Sequence, residues 1–264
     1  MDHALTVEAA PQARRGRIVA AIAGVAQAIL ATYRSGGRMF WIAPAIVAVA
    51  VLPELLQHGA EMWLGMFDSR EAFRALAMDP TRWFFAYGKI AGLWLGILLT
   101  VRFLATGEWR GMIRMPLADV VRIVLAGGAT VVVDEALKLA GETVGGAMAF
   151  GALSAFLQAG LTLYVVALIA GEKAIDLRSA FLRFLPTSAL LVLLMAVAFV
   201  PAQALHTANH LVAMGQPLAL VGAIMLFDSL LVGLMATLIG SALVVAVRAA
   251  PTWQGWTRPP ATPA

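Results

Sequence analysis

The groups able to do chemistry in this chain are few, and several come in pairs. Glu54 and His58 are four residues apart, as are His206 and His210, so each pair would show both side chains on one face of a helix. Proteins build imidazole and carboxylate metal sites from that spacing, and hold a general acid beside a base with it. Asp228 and Lys89 each stand alone in an apolar stretch. Asp134, Glu135 and Lys138 form a short charged run in which Asp134 and Lys138 have the i,i+4 spacing of a common helical ion pair. Cysteine is absent, which removes disulfides, thiolate ligands and thiol nucleophiles. No HExxH, glycine-rich phosphate loop or Ser-His-Asp order occurs, so nothing points to nucleophilic catalysis of the soluble type.

What positions these residues is set by composition. Of 264 residues, 61% are hydrophobic and 13% charged, whereas soluble domains have roughly 45–50% and about 25%. An ordinary soluble domain is excluded. A helix needs about 20 apolar residues to cross the hydrocarbon, where lipid offers backbone amides no partner. Six stretches qualify, at 39–56, 83–104, 117–138, 146–170, 185–205 and 217–247. The expected fold is therefore an all-α, polytopic membrane bundle of six transmembrane helices with added interfacial amphipathic helices.

Residues 1–38 read as a cytoplasmic N-terminus whose segment 18–33 lies in the membrane plane, because Ile18, Ile22, Val25 and Ile29 share one face. The competing reading is a signal peptide cleaved after Ala26-Gln27-Ala28. Residues 39–247 form the membrane domain, with an outer loop at 57–82 and an inner amphipathic helix at 172–185, and 248–264 is a disordered cytoplasmic tail. Placing the N-terminus inside puts 14 of the 19 basic residues on the inner side and leaves Arg70, Arg74, Arg82, Lys89 and Lys138 outside. Both termini are then cytoplasmic, cleavage is disfavoured, and the formal charge of +4 is a topology signal, not a sign of nucleic-acid binding. Sixteen arginines against three lysines in an alanine-rich chain suggest a bacterial cytoplasmic membrane.

Against this frame Asp228 is costly. It lies ~16 Å into its span, near the midplane, where a carboxylate costs about 2.5–3.5 kcal/mol. Lys89, with its long stem, is the expected partner. Glu54, Asp134, Glu135 and His206 sit at outer helix ends and would line a cleft floored by Asp228 and Lys89. The function this suggests is non-enzymatic binding or movement of a lipid or small solute, with no cofactor and no metal.

Two alternatives stand beside it. Gly88, Gly92 and Gly96, spaced by four, make a smooth packing face suited to a scaffold that meets other membrane helices or a second copy. An intramembrane metal-dependent hydrolase would require His206, His210, Glu54 and His58 to converge within about 4–5 Å.

The run Tyr164-Val165-Val166-Ala167-Leu168-Ile169-Ala170-Gly171-Glu172, followed by Leu177-Arg178-Ser179-Ala180-Phe181, resembles bacterial six-helix proteins related to the glycerophosphodiesterase membrane domain. The resemblance implies an accessory or lipid-related membrane role. It implies no hydrolytic activity, since no separate catalytic domain fits in this chain.

Overall fold

In the computed structural model, residues 9–109, 114–144, 146–182 and 185–253 are described. They form nine helices and no strands: α1 (Ala9–Ile42), α2 (Pro44–Trp63), α3 (Arg70–Ala75), α4 (Pro80–Thr106), α5 (Leu117–Val144), α6 (Ala147–Ala170), α7 (Leu177–Leu182), α8 (Leu185–Ala213) and α9 (Leu218–Trp253). Five contain stretches long and apolar enough to cross a membrane, the mark of a membrane protein: Pro44–Trp63, Pro80–Thr106, Met148–Ala170, Pro186–Ala213 and Leu218–Ala249. The stretch expected at 117–138 is not among them, because α5 carries Asp119, Arg122, Asp134, Glu135, Lys138 and Glu142.

α9 is the central helix. It is apolar up to Arg248 apart from Asp228 and a few hydroxyl residues, and α1, α2, α4 and α8 pack around it. Close approach rests on small residues, since burial from lipid into protein gains little hydrophobic free energy. A Cβ added at Gly233 would lie 2.5 Å from Val51 Cγ2, and one at Gly240 would lie 2.6 Å from Thr100 Cβ. On α4, a Cβ at Gly92 would lie 2.7 Å from Val49 O, and one at Gly96 would lie 3.2 Å from Ala50 Cβ; Gly88 faces open space. Gly92 and Gly96 are thus used inside the chain, against α2.

Several boundaries differ from expectation for local reasons. The break before α2 falls at Ala43, inside the expected 39–56 span, because Pro44 lacks an amide hydrogen and disfavours helical geometry in the residue before it. α2 then runs on to Trp63, so its last two turns replace the start of the expected 57–82 loop. Segment 18–33 is the middle of α1, and the end of that helix is built into the bundle. Ala28 and Thr32 are buried, the Tyr33 hydroxyl donates to Val197 O at 2.8 Å, and a Cβ on Gly36 would meet Leu238 at 2.7 Å. α3 starts at Ser69, whose hydroxyl accepts from Ala72 N–H at 3.0 Å.

The helix expected over 172–185 is shorter. Gly171, at φ +75°, ends α6, and α7 begins only after Asp176, whose Oδ1 accepts from Ser179 N–H at 2.6 Å while Ser179 Oγ accepts from Asp176 N–H at 2.9 Å. The Ser179 hydroxyl and then its backbone N–H, both beside the carboxyl, hold Asp176 below its ordinary pKa. Pro186 sits in the first turn of α8, where proline is tolerated, instead of closing the preceding helix. Arg183 and Phe184 lie outside the described residues, as does the expected tail from 254 on; before that, α9 continues to Trp253.

Helix ends sort into two layers. Arg102 Nη1 donates to Ile169 O at 2.9 Å and Arg248 Nη2 donates to Leu104 O, so the C-terminal parts of α4, α6 and α9 share one end of the bundle. The C-terminal parts of α2 and α8 meet at the other. α5 and α6 form an antiparallel hairpin about Gly146, with Asp134 Oδ1 accepting from Ser154 Oγ at 2.8 Å and from Gln158 Nε2 at 2.7 Å.

Candidate ion-binding centre

Four helices bring their polar residues to one place. On α2, Glu54, His58 and Glu61 are spaced by four and three, so they share the face that packs on α9. Their side chains, and that of Asp228 on α9, are 0% exposed. His206, Asn209 and His210 come from one face of α8, while Lys89 and Arg82 reach in from α4.

Asp228 is the hub. Its Oδ2 lies 2.6 Å from His206 Nδ1, 3.0 Å from His58 Nε2 and 3.7 Å from His210 Nε2, and its Oδ1 accepts from Asn209 Nδ2 at 2.8 Å. Lys89 is not its partner. The ammonium sits 2.8 Å from Glu54 Oε1 and 3.5 Å from His206 Nε2, because α8 places its own histidines and asparagine nearer to Asp228.

His58 is flanked on both sides. Nε2 is 3.1 Å from Glu54 Oε1 as well as 3.0 Å from Asp228, and Nδ1 is 3.2 Å from Glu61 Oε2. Glu61 is in turn held by Arg82 Nε at 3.0 Å and Gln57 Nε2 at 2.8 Å. A neutral imidazole carries one donor only, so two carboxylate-facing nitrogens call for a further positive charge, as a second proton or a cation. The formal count agrees. Glu54, Glu61 and Asp228 bring three negative charges, Lys89 and Arg82 bring two positive ones, and the centre is one charge short with its imidazoles neutral.

Some buried atoms remain uncommitted. Glu54 Oε2 and both ring nitrogens of His210 have no hydrogen-bond partner among the described residues. One ligand atom from each of Glu54, His58, His210 and Asp228 falls within 4.8 Å of the others. Among the described residues, these four are the ones able to hold a small ion. Compared with known protein families, curated proteins and solved structures, the chain matches none. The likeness of 164–181 to the glycerophosphodiesterase membrane-domain proteins therefore brings no activity to this site, and the chemistry rests on the geometry alone.

The centre is enclosed around Asp228, with His206 12%, His210 13% and Lys89 20% exposed at its edge. Phe67 and Phe73 pack on the His210 ring at 5.8 and 6.1 Å between centroids, and Gly215 N–H donates to Phe67 O at 2.8 Å, clamping the loop after α2 to the turn after α8. These two rings form a plug that covers the His210 side of the centre. Among the expected cleft residues, Glu54, Lys89, His206 and Asp228 come together, whereas Asp134 and Glu135 do not. Asp134 bonds Lys138, Ser154 and Gln158, and Glu135 bonds Lys138, all in the α5–α6 hairpin beside a groove of about 390 Å³.

Sequence reasoning missed Glu61, Gln57, Arg82 and Asn209. The signal for Glu61 was present, since it continues the Glu54–His58 face by one turn, but ending the span at residue 56 put it in a loop. Asn209 lies between His206 and His210 on their shared face.

Proposed function

We propose that this is a six-crossing protein of a bacterial cytoplasmic membrane, both termini inside, that binds a small cation in the outer half of the bilayer for capture or transfer. It works as a binding or transport protein, not an enzyme. The observation that carries the reading is the buried Asp228 centre, in which one donor atom from each of Glu54, His58, His210 and Asp228 lies within 4.8 Å of the others and buried donor atoms are left uncommitted. Burying the centre's formal charge imbalance in a low dielectric costs several kcal/mol unless a second imidazole proton or a cation completes it, and the unpartnered donor atoms favour the cation. The space between the side chains suits an ion, and Phe67 and Phe73 pack over its His210 side, where a lipid or organic solute would have to enter. Gly92 and Gly96, on which a scaffold would rely, are covered by α2.

Six crossings are supported by the layering of helix ends. α4 and α6 finish at the same end of the bundle, so the chain must return between them, and α5 with 28 residues spans ~42 Å. The end with Arg102, Arg122, Arg178 and Arg248 is then cytoplasmic.

The test is thermal unfolding of the detergent-purified protein, stripped with chelator, across a panel of monovalent and divalent cations. A cation at 100 times its Kd adds about 2.7 kcal/mol, or ~5–11 °C for a chain of this size. Wild type should respond to at least one cation and Asp228→Asn to none. A wild type indifferent to every cation would make the cluster a structural ion-pair network and end the proposal.

A further inference from the structure

The donor atoms themselves narrow the ion. Two imidazoles and two carboxylates suit zinc-like first-row divalent metals; alkali, magnesium and calcium ions favour oxygen alone. With metal–ligand bonds of about 2.0–2.1 Å, a tetrahedral site puts neighbouring ligand atoms ~3.3 Å apart. Three edges of the cluster fall close to that value: His58 Nε2 to Glu54 Oε1 at 3.1 Å, His58 Nε2 to Asp228 Oδ2 at 3.0 Å, and His210 Nε2 to Asp228 Oδ2 at 3.7 Å. His206 Nδ1, only 2.6 Å from the same carboxylate oxygen, is too near to be a fellow ligand and acts as its hydrogen-bond donor.

The surroundings match what a bound metal asks of its outer partners. A metal-ligating histidine gives its other ring N–H to a carboxylate or carbonyl, which fixes the tautomer and ring orientation. His58 has Glu61 at Nδ1 for this purpose, and Glu61 is itself fixed by Arg82 and Gln57. Asp228 has Asn209 on its other oxygen. An independent sign of a ligand is that two of these residues leave buried atoms without a hydrogen-bond partner, His210 at both ring nitrogens and the fully buried Glu54 at Oε2, the oxygen that Lys89 does not hold.

Lys89 has a place in the same scheme. Its ammonium holds Glu54 Oε1, one of the ligand atoms, and its side chain is 20% exposed, so its stem can carry the charge out to the membrane surface. With a divalent metal in and Lys89 out, the three carboxylates, Arg82 and the metal sum to zero.

We infer, building on the cation-binding reading above, that Glu54, His58, His210 and Asp228 form a four-donor site for a zinc-class divalent metal, and that Lys89 is the built-in cation which the metal displaces. The lysine then sets the affinity by competing for Glu54.

The experiment is titration of the chelator-stripped, detergent-purified chain with Co²⁺, read by the visible absorption of four-coordinate cobalt, followed by displacement with Zn²⁺. One Co²⁺ per chain is expected. His210→Ala should abolish the signal, and Glu61→Gln, which removes an outer partner but no ligand, should weaken Zn²⁺ binding about 10–100-fold. Lys89→Met should tighten binding several-fold, the opposite of the weaker binding expected of a lysine that only braces the site. Circular dichroism and monodispersity of each variant separate loss of binding from loss of fold. If the unfolding panel shows a response to other cations while neither Co²⁺ nor Zn²⁺ binds stoichiometrically, the metal assignment fails and the cation-binding reading stands. If no cation of any kind acts on wild type, both fail. Weaker binding in Lys89→Met overturns the role of the lysine.

Discussion

Gly88, Gly92 and Gly96 look alike in sequence, yet the packing predicts three different responses to alanine. At Gly88 a methyl group meets nothing within 4 Å. At Gly92 it falls 2.7 Å from both Val49 O and Pro53 Cγ, short of ordinary contact by about 0.7 Å, and a backbone carbonyl cannot rotate away. At Gly96 the nearest atom is Ala50 Cβ at 3.2 Å, a shortfall the helices can absorb by a small shift. All three variants share the same change in helix propensity, so it cancels when they are compared. What remains for Gly92→Ala against Gly88→Ala is the overpacking cost, about 1–3 kcal/mol, or ~2–12 °C in Tm. The assay is thermal unfolding in a single detergent, followed by fluorescence-detected size exclusion, with Gly96→Ala expected in between. Because Val49 and Pro53 lead directly into Glu54, the Gly92 variant should also respond less to the stabilising cation. Equal Tm values at positions 88 and 92 would refute the packing argument. A larger loss at Gly88 would place the working face of α4 against another chain.

Glu61→Leu removes the carboxylate from both Arg82 and His58 and should cost about 3–5 kcal/mol, seen as a Tm lower by ~6–20 °C; no change would deny the Glu61 bridge. Phe73→Ala should open the plug over His210, so diethylpyrocarbonate modifies that histidine faster than in wild type, with peptide mass spectrometry as the readout. Asp134→Ala should lower Tm more than Lys138→Ala, because Asp134 joins α5 to α6 through Ser154 and Gln158 whereas Lys138 reaches only its own helix. Asp176 has a folded pKa below its unfolded one, so its contribution is present above the unfolded value and lost as pH falls through the folded value. Amide-exchange protection of α7 should therefore persist through the ordinary aspartate range and fade only below it, and Ser179→Ala should move that loss to higher pH.

The apolar stretches and the lone Asp228 were legible in the sequence because the hydrocarbon imposes length and makes any charge conspicuous. The Ser69 cap is a local effect of one hydroxyl on the next turn, the kind of feature a sequence carries without knowledge of the packing. The partner of Asp228 was not legible. Reach and sign alone favoured Lys89, but partner choice depends on how α8 and α4 are rotated against α9, and a single sequence fixes no rotation. Glu61 was lost for a different reason. Hydropathy averages over a turn, and Gln57, His58 and Glu61 lower it just where α2 continues, so a helix that carries a polar face reads as a loop. The same averaging hid the site, since its residues come from four helices far apart in the chain and only one of its ligand pairs, Glu54 with His58, is local.

The sixth crossing turns on α5, whose charges exclude it on composition and whose place in the hairpin supports it. Asp119 and Arg122 line a groove with Ala167, Leu168 and Gly171, at the end of α6 that also holds the Arg102 contact to Ile169. Asp134 bonds Ser154 two turns from the other end of α6. α5 thus follows α6 through its full length, and if α6 crosses, α5 crosses. Its charges are placed to allow this: Asp119 pairs with Arg122 near one end, and Asp134 and Glu135 pair with Lys138 towards the other, leaving 123–133 without a charge. Cysteines introduced singly at Ser69, Glu142 and Glu172 should answer the question through a membrane-impermeant maleimide applied to intact cells. Labelling is expected at positions 69 and 142 but not at 172. Protection at 142 with labelling at 172 would mean that α5 stays on the inner surface, and α8 would then run opposite to α2. His206 and His210 could not in that case meet Glu54 and His58, so this one experiment bears on the bundle and on the ion centre together.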